Sequence, residues 1–185
     1  MDNKAVIIID LLNDFVTGNL QCERAKPIIP KLKRLVEAAR KHKISVIYSN
    51  DAHYPQDVEV VAKWGKHAIK GTKGAEVIPE LKPTAKDYVV EKRTYSGFYE
   101  TGLDPLLRSL YKGEGVKTVI LGGLHTHMCV RHTAADAFFR GYTIAIAKDG
   151  VEAFTQEDHE QGLKYLENVY NAKIMTVDQI IKEFG

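Results

Sequence analysis

Residues 116–141 read VKTVILGGLHTHMCVRHTAADAFFRG, a buried-strand pattern running directly into a helical one. Val116, Val119, Ile120 and Leu121 form a short apolar, β-branched run of the kind a fully buried strand needs, and Gly122 and Gly123 are expected to end it. Val130, Ala134, Ala137 and Phe138 then recur at helical spacing, with Thr126 as a hydroxyl N-cap and Gly141 as the C-terminal stop. Cys129 therefore falls in the first turn of a helix fed by a buried strand. Unpaired backbone N–H groups and the helix dipole favour negative charge there, which is expected to lower the thiol pKa and to aim donors at an oxyanion forming nearby. That position suits a nucleophile; a small buried core thiol is the other reading of an isolated cysteine.

On the N-terminal side, AVIII at residues 5–9 is too short for a helix and apolar throughout, as a central parallel strand is, with Asp10 directly after it. Residues 11–22 lack periodicity and read as a loop carrying Phe15. From Pro27, apolar residues at Ile28, Ile29, Leu32, Leu35, Val36 and Ala39 mark an amphipathic helix. Ile44 to Tyr48 is a second strand leading to Asp51 and His53, and Tyr88 to Val90 a third leading to Lys92. Between them, residues 54–83 are irregular and hold Trp64 and His67; an irregular segment of that length is usually functional. Leu103, Leu106, Leu107 and Leu110 have helical spacing ahead of the Val116 strand. Beyond Gly141, Tyr142 to Ala147 and Lys173 to Thr176 read as strands, and His159 to Val169 and Val177 to Phe184 as helices. This alternation predicts an α/β fold with helices on both faces of a mostly parallel sheet.

The chain has 185 residues, long enough for one domain, residues 1–185, with a full core. Its 26 Lys and Arg against 24 Asp and Glu leave a formal net charge of +2, without the basic excess that nucleic-acid partners require. No apolar run approaches a membrane span, and MDNKAVIIIDLL enters a strand directly, without signal-peptide architecture. The expectation is a soluble cytoplasmic protein with no nucleic-acid and no membrane partner. Cys22 and Cys129 read as free thiols, Cys22 an incidental one in a loop.

Ligands of such sheets bind in the crevice at the carboxyl ends of the strands, where Asp10, Asp51 with His53, Lys92 and the turn to Cys129 all fall. Each polar residue alone has an ordinary explanation as a cap, a loop residue or a solvated lysine. Together, a thiol at a helix start, a carboxylate and a lysine at one sheet edge make an activated-nucleophile site for acyl transfer. Asp51 and His53 are two apart, so in extended backbone they share a side. With His67 they would suit Zn2+, Fe2+ or Mn2+ with positions open for water; a polar loop is the alternative.

In order along the chain, Asp10-Leu-Leu-Asn-Asp-Phe15, Asp51-x-His53, Trp64-x-x-His67 with Gly71-Thr-x-Gly-Ala75, Lys92 with Ser96-Gly-Phe98, and Thr126-x-x-Cys129-Val130 with Asp136-Ala and Gly141-Tyr142 resemble the nicotinamidase and isochorismatase-like cysteine hydrolases. The likeness runs from the first strand to beyond residue 150. It implies a Rossmann-like, three-layer α/β/α fold with a six-stranded sheet, and a catalytic triad matching Asp10, Lys92 and Cys129. It also implies one divalent metal on Asp51, His53 and His67, a ring-stacking pair of Phe15 and Trp64, and a homo-oligomer. The implied oxyanion hole is made by the backbone N–H groups of His125 and Cys129, after a cis bond from Leu124 to His125.

Two departures stand out. Nicotinamidases commonly carry a further histidine six residues after the one matching His53; Glu59 occupies that position, with Asp57 nearby, so the fourth ligand is a carboxylate, a water or absent. His125 stands where a small residue is usual, and His127 is a second substitution beside the nucleophile. Isochorismatases proper lack the nucleophilic cysteine, so Cys129 argues against that branch. The resemblance implies a metal-containing amidohydrolase, with nicotinamide the first substrate to consider. Its rivals are a C–N hydrolase for a carbamoyl compound or non-aromatic amide, and a catalytically idle binding protein of the same fold.

Overall fold

The computed structural model describes residues 3–185. Six strands, β1 (Lys4–Ile9), β2 (Ser45–Asp51), β3 (Tyr88–Lys92), β4 (Thr118–Leu124), β5 (Thr143–Glu152) and β6 (Lys173–Met175), form one sheet in the order β3-β2-β1-β4-β5-β6. Every pairing is parallel. The helices are α1 (Asn13–Val16), α2 (Ile29–Lys41), α3 (Leu103–Ser109), α4 (Arg131–Phe139), α5 (Gln156–Tyr170) and α6 (Val177–Lys182).

The sheet is covered on both faces because its central strand is apolar on both. Val6 and Ile8 of β1 pack into a core with Leu32 and Leu35 of α2 and Ile180 of α6, whereas Ala5, Ile7 and Ile9 join Leu107 of α3, Ala134 of α4 and Leu166 of α5 on the other side. Side chains alternate along a strand, so two-sided burial requires an uninterrupted apolar run, and β1 supplies one. Burying each such isoleucine contributes about 1.5–3 kcal/mol. The strand order reverses between β1 and β4, which opens a crevice at their carboxyl ends.

Four strands run further than their apolar patterns indicate, and the extensions of β2 and β3 carry site residues to the crevice. β2 continues through Asp51 and β3 through Lys92, so both polar side chains are fixed by the sheet ladder; β5 continues to Glu152. Gly122 and Gly123 lie inside β4 instead of ending it. Gly123 has φ of 115°, and a Cβ there would stand 2.0 Å from the Ile9 carbonyl oxygen. The β4–β5 register also shifts here, from Leu121 opposite Ile146 to Gly123 opposite Val151, so the extra residues of this irregularity lie on β5. Gly123→Ala is therefore expected to destabilise the fold by about 3 kcal/mol or more, read as a lowered denaturation midpoint.

The segment expected as loop at residues 11–22 contains the one-turn α1. Residues 54–83 hold a π-helical turn at Glu59–Trp64 and a bridge pairing His53 with Ile69, which together carry Trp64 and His67 toward the crevice. No helix among the described residues is long and apolar enough to cross a membrane.

Candidate active site

Asp10, directly after β1, has φ of 55° and turns its side chain over β2, where Oδ1 accepts the Asp51 N–H at 2.7 Å. The β2–β3 register sets Asp51 opposite Lys92. Lys92 is fully buried; its Nζ lies 2.8 Å from Asp10 Oδ2 and also donates to Asp51 Oδ1. An ammonium taken out of water needs such partners, and this one has two carboxylates.

Sharing one cation splits the carboxyl groups. Burial disfavours ionised Asp51, but Lys92 and His53 outweigh it and hold the group at about 2. For Asp10, burial and the Asp51 charge win over Lys92 and raise it to about 7. Lys92 stays charged, because the two carboxylates overcome its burial and push it well above its ordinary value.

Cys129 meets this pair from the loop after β4. Its Sγ and carboxylate oxygens of Asp10 and Asp51 lie within 4.8 Å of one another. Contrary to the expectation from a helix start, the thiol is pushed well above its ordinary pKa: burial dominates, Lys92 opposes it, and Asp10 and Asp51 add to it. The resting arrangement is a protonated thiol facing a carboxylate with a raised pKa. Such a pair can pass the proton from sulfur to oxygen as the sulfur attacks.

The loop itself is held from below. The Leu124–His125 peptide is cis, and the His125 carbonyl accepts from Met128 N at 3.0 Å and Val130 N at 3.2 Å, closing a π-helical turn over Thr126–Val130 that runs into α4. His125 occupies the N-cap position expected for Thr126. The Thr126 hydroxyl instead hydrogen-bonds His159 Nδ1 on α5 at 3.0 Å. Close approach of α5 depends on Gly162, where a Cβ would lie 3.0 Å from Thr126 Cγ2 and 3.2 Å from His127 N.

Beside the thiol site, ligand atoms of Asp51, His53 and His67 also lie within 4.8 Å of one another. His53 is wholly buried and neither ring nitrogen makes a hydrogen bond, the Asp51 and Asp57 carboxylates standing off at 3.5 Å from Nε2 and Nδ1. A buried imidazole without partners is costly, so this is a group built for a ligand. His67 Nδ1 bonds the Gly65 carbonyl at 2.8 Å, which leaves Nε2 available. One carboxylate and two imidazoles fit a divalent transition ion. Glu59 is buried with Oε1 unpartnered, and burial and the Asp51 charge raise its pKa.

The aromatic residues do not simply face each other. Trp64 lies 6.1 Å from Phe154, Phe154 stacks on His125 at 4.1 Å, and Phe15 meets His125 edge-on at 5.8 Å. Phe15 and Trp64 are thus the ends of one row whose middle is His125 and Phe154. His125 is 2% exposed, its Nε2 has no partner, and burial lowers its pKa to about 3, so it is a neutral ring in this row. Trp64 Nε1 donates to the Tyr95 hydroxyl at 3.1 Å. Phe154, Tyr95 and His159 carry no signal in the periodicity. Phe154 in particular follows a strand whose apolar run stops at Ala147, although the strand continues to Glu152.

The isochorismatase domain matches residues 4–179. The chain belongs to the isochorismatase family. Among structures of the family, N-carbamoylsarcosine amidase from Thermoplasma acidophilum is 40% identical, covers 96% of this chain and 98% of its own, and superposes with a TM-score of 0.87. The pyrazinamidase of Pyrococcus horikoshii, in complex with zinc, is 28% identical over 94% of this chain and 99% of its own, with a TM-score of 0.86. Nicotinamidase 3 of Arabidopsis thaliana is 32% identical over 88% of this chain and 79% of its own length. These relatives are amide-cleaving hydrolases of the isochorismatase family, and their α/β fold is the one described above.

Proposed function

We propose that this isochorismatase-family hydrolase is a metal-containing cysteine amidohydrolase that converts a small carboxamide to the acid and ammonia, nicotinamide to nicotinate being the reaction the site suits best. The observation that carries this reading is the buried Lys92 shared between Asp10 and Asp51, with the Cys129 thiol against the carboxylate of raised pKa.

In the proposed reaction Asp10 takes the thiol proton as Sγ attacks the amide carbonyl, and the backbone N–H groups of His125 and Cys129 hold the oxyanion. Asp10 returns the proton to the departing nitrogen, ammonia leaves, and a thioester remains on Cys129. Asp10 then deprotonates a water that attacks the thioester, releasing the acid and restoring the thiol. Lys92 keeps the carboxylates in register and balances their charge throughout. Asp51, His53 and His67 would hold the divalent ion, Zn2+ first and Fe2+ or Mn2+ next, which when bound supplies positive charge and open positions that orient a ring nitrogen or its water. Zinc is favoured by the zinc-bound pyrazinamidase relative.

The aromatic row favours a flat acyl group, with Phe15 and Trp64 as its binding rings. A carbamoyl compound is the second reading, supported by the 40% identity to N-carbamoylsarcosine amidase. We further assign the protein as one domain acting as a homo-oligomer in the cytoplasm, on small molecules and not on nucleic acid or membranes.

Ammonia release from nicotinamide, a carbamoyl amino acid and a small aliphatic amide tests the substrate. Nicotinamide is expected to be preferred, and Trp64→Ala to lower its kcat/KM relative to the aliphatic amide about tenfold, since an aromatic pair contributes about 0.5–1.5 kcal/mol beyond area burial. A parallel loss on every amide would instead make Trp64 a loop anchor, and release from none of them would leave a binding protein.

A further inference from the structure

His53 looks at a carboxylate on each side. Its Nε2 lies 3.5 Å from Asp51 Oδ2, and its Nδ1 lies 3.5 Å from Asp57 Oδ2. Asp51 belongs to the candidate ligand cluster with His53 and His67; Asp57 does not.

Asp57 is committed elsewhere. Its Oδ2 accepts the Tyr54 N–H at 2.9 Å and Arg93 Nε at 3.0 Å, and its Oδ1 accepts from Arg93 Nη2. The Arg93 guanidinium also lies over the Tyr54 ring, 4.6 Å from its centroid. A forked guanidinium holds a carboxylate in one plane more firmly than an ammonium does, so the Asp57 side chain is fixed before any ligand arrives. With both oxygens engaged, it is an outer acceptor and not a candidate fourth ligand.

We propose that Asp57 is a positioning residue that accepts the Nδ1–H of His53, selecting the tautomer whose bare Nε2 faces Asp51 and His67, and that Arg93 locks Asp57 for this task. A neutral imidazole carries one proton, and only the nitrogen without it can bind a metal ion. His67 repeats the arrangement independently: its Nδ1 faces the Gly65 carbonyl at 2.8 Å, leaving Nε2 for the ligand. Both histidines thus have an oxygen acceptor on the Nδ1 side, at 2.8 Å for His67 and at 3.5 Å for His53. Outer acceptors of this kind typically affect metal affinity by about 10–100-fold. Arg93 directly follows Lys92, so one strand end delivers both the ammonium of the thiol site and the guanidinium that steadies the ligand site.

The proposal rests on the reading of Asp51, His53 and His67 as metal ligands, and the test separates the two. Metal-free wild type, Asp57→Asn, Asp57→Ala, Arg93→Gln and His53→Ala are titrated with Zn2+ against a chromogenic chelator, with circular dichroism and thermal melts of the metal-free proteins alongside. Arg93 is exposed at the rim of a cavity of about 970 Å3 that Asp57 also lines, so Arg93→Gln probes the lock without disturbing the core. Asp57→Ala is expected to weaken Zn2+ binding about 10–100-fold, with Asp57→Asn and Arg93→Gln in between. If wild type binds one Zn2+ that His53→Ala loses, but the Asp57 and Arg93 variants match wild type in affinity, Asp57 is structural only and the proposal falls while the ligand reading survives. If wild type binds none, or His53→Ala binds as well as wild type, both fall.

Discussion

Asp10→Asn is expected to lower kcat by about 10^3- to 10^4-fold while leaving the protein folded, the loss typical of removing a general base from a nucleophile pair. The amide oxygen of asparagine can still accept the Asp51 N–H, and Lys92 keeps Asp51 as its partner, so the architecture of the crevice is retained. What disappears is the group that takes the thiol proton. Asp10 titrates at about 7 in the folded chain, against about 3.9 for an unfolded aspartate. Between those values the unfolded chain has lost its proton and the native one keeps it, so Asp10 works against folding as pH rises through this window. Asp10→Asn is therefore expected to melt no lower than wild type at neutral pH, and its advantage to shrink toward pH 4. A kinetic loss accompanied by an equal loss of folded protein would instead make Asp10 a scaffold residue.

The second large effect falls on Lys92. Lys92→Met fills similar space but leaves Asp10 and Asp51 facing each other, buried, without a cation. Breaking a buried pair by removing one partner costs about 3–5 kcal/mol, and here one ammonium serves two carboxylates. Lys92→Met is expected to unfold at markedly lower denaturant and to recover stability as pH falls and Asp10 takes a proton. The double variant Lys92→Met with Asp10→Asn should regain much of the loss, which a simple packing defect at residue 92 would not.

Most of the fold was legible because each strand declared itself. The AVIII run of β1 and the Val119–Leu121 run of β4 have no polar interruption, and the helical spacing of α2 is regular from Ile29 to Ala39. Strand ends were less legible, since the residues that continue β2 and β3 are polar. Asp51 and Lys92 belong to the ladder although their side chains give no apolar pattern, because buried pairing replaces hydrophobic burial there. Gly122 and Gly123 mislead for the opposite reason: glycines usually break strands, but here they admit the close approach of β1 at Gly123 and of Leu32 at Gly122.

At the site, the ordered motifs named residues that the fold brings together, Asp10, Lys92 and Cys129 on one side and Asp51, His53 and His67 on the other. Motif spacing did not reveal the charge balance. A helix start alone argues for a lowered thiol pKa, whereas burial beside two carboxylates dominates in three dimensions. Nor does spacing reveal Phe154, which reaches His125 only because β5 outruns its apolar run, or Asp57, whose partner Arg93 is 36 residues away.

In the proposed reaction Cys129 is the nucleophile of amide hydrolysis. That role is tested most directly by following ammonia release from nicotinamide and the alternative amides by wild type and Cys129→Ala, with wild-type samples acid-quenched during turnover and mapped by mass spectrometry. The expected result is release by wild type alone, with the acyl group of the substrate on the peptide carrying Cys129 and none on Cys22. Ammonia release by Cys129→Ala at the wild-type rate would contradict it.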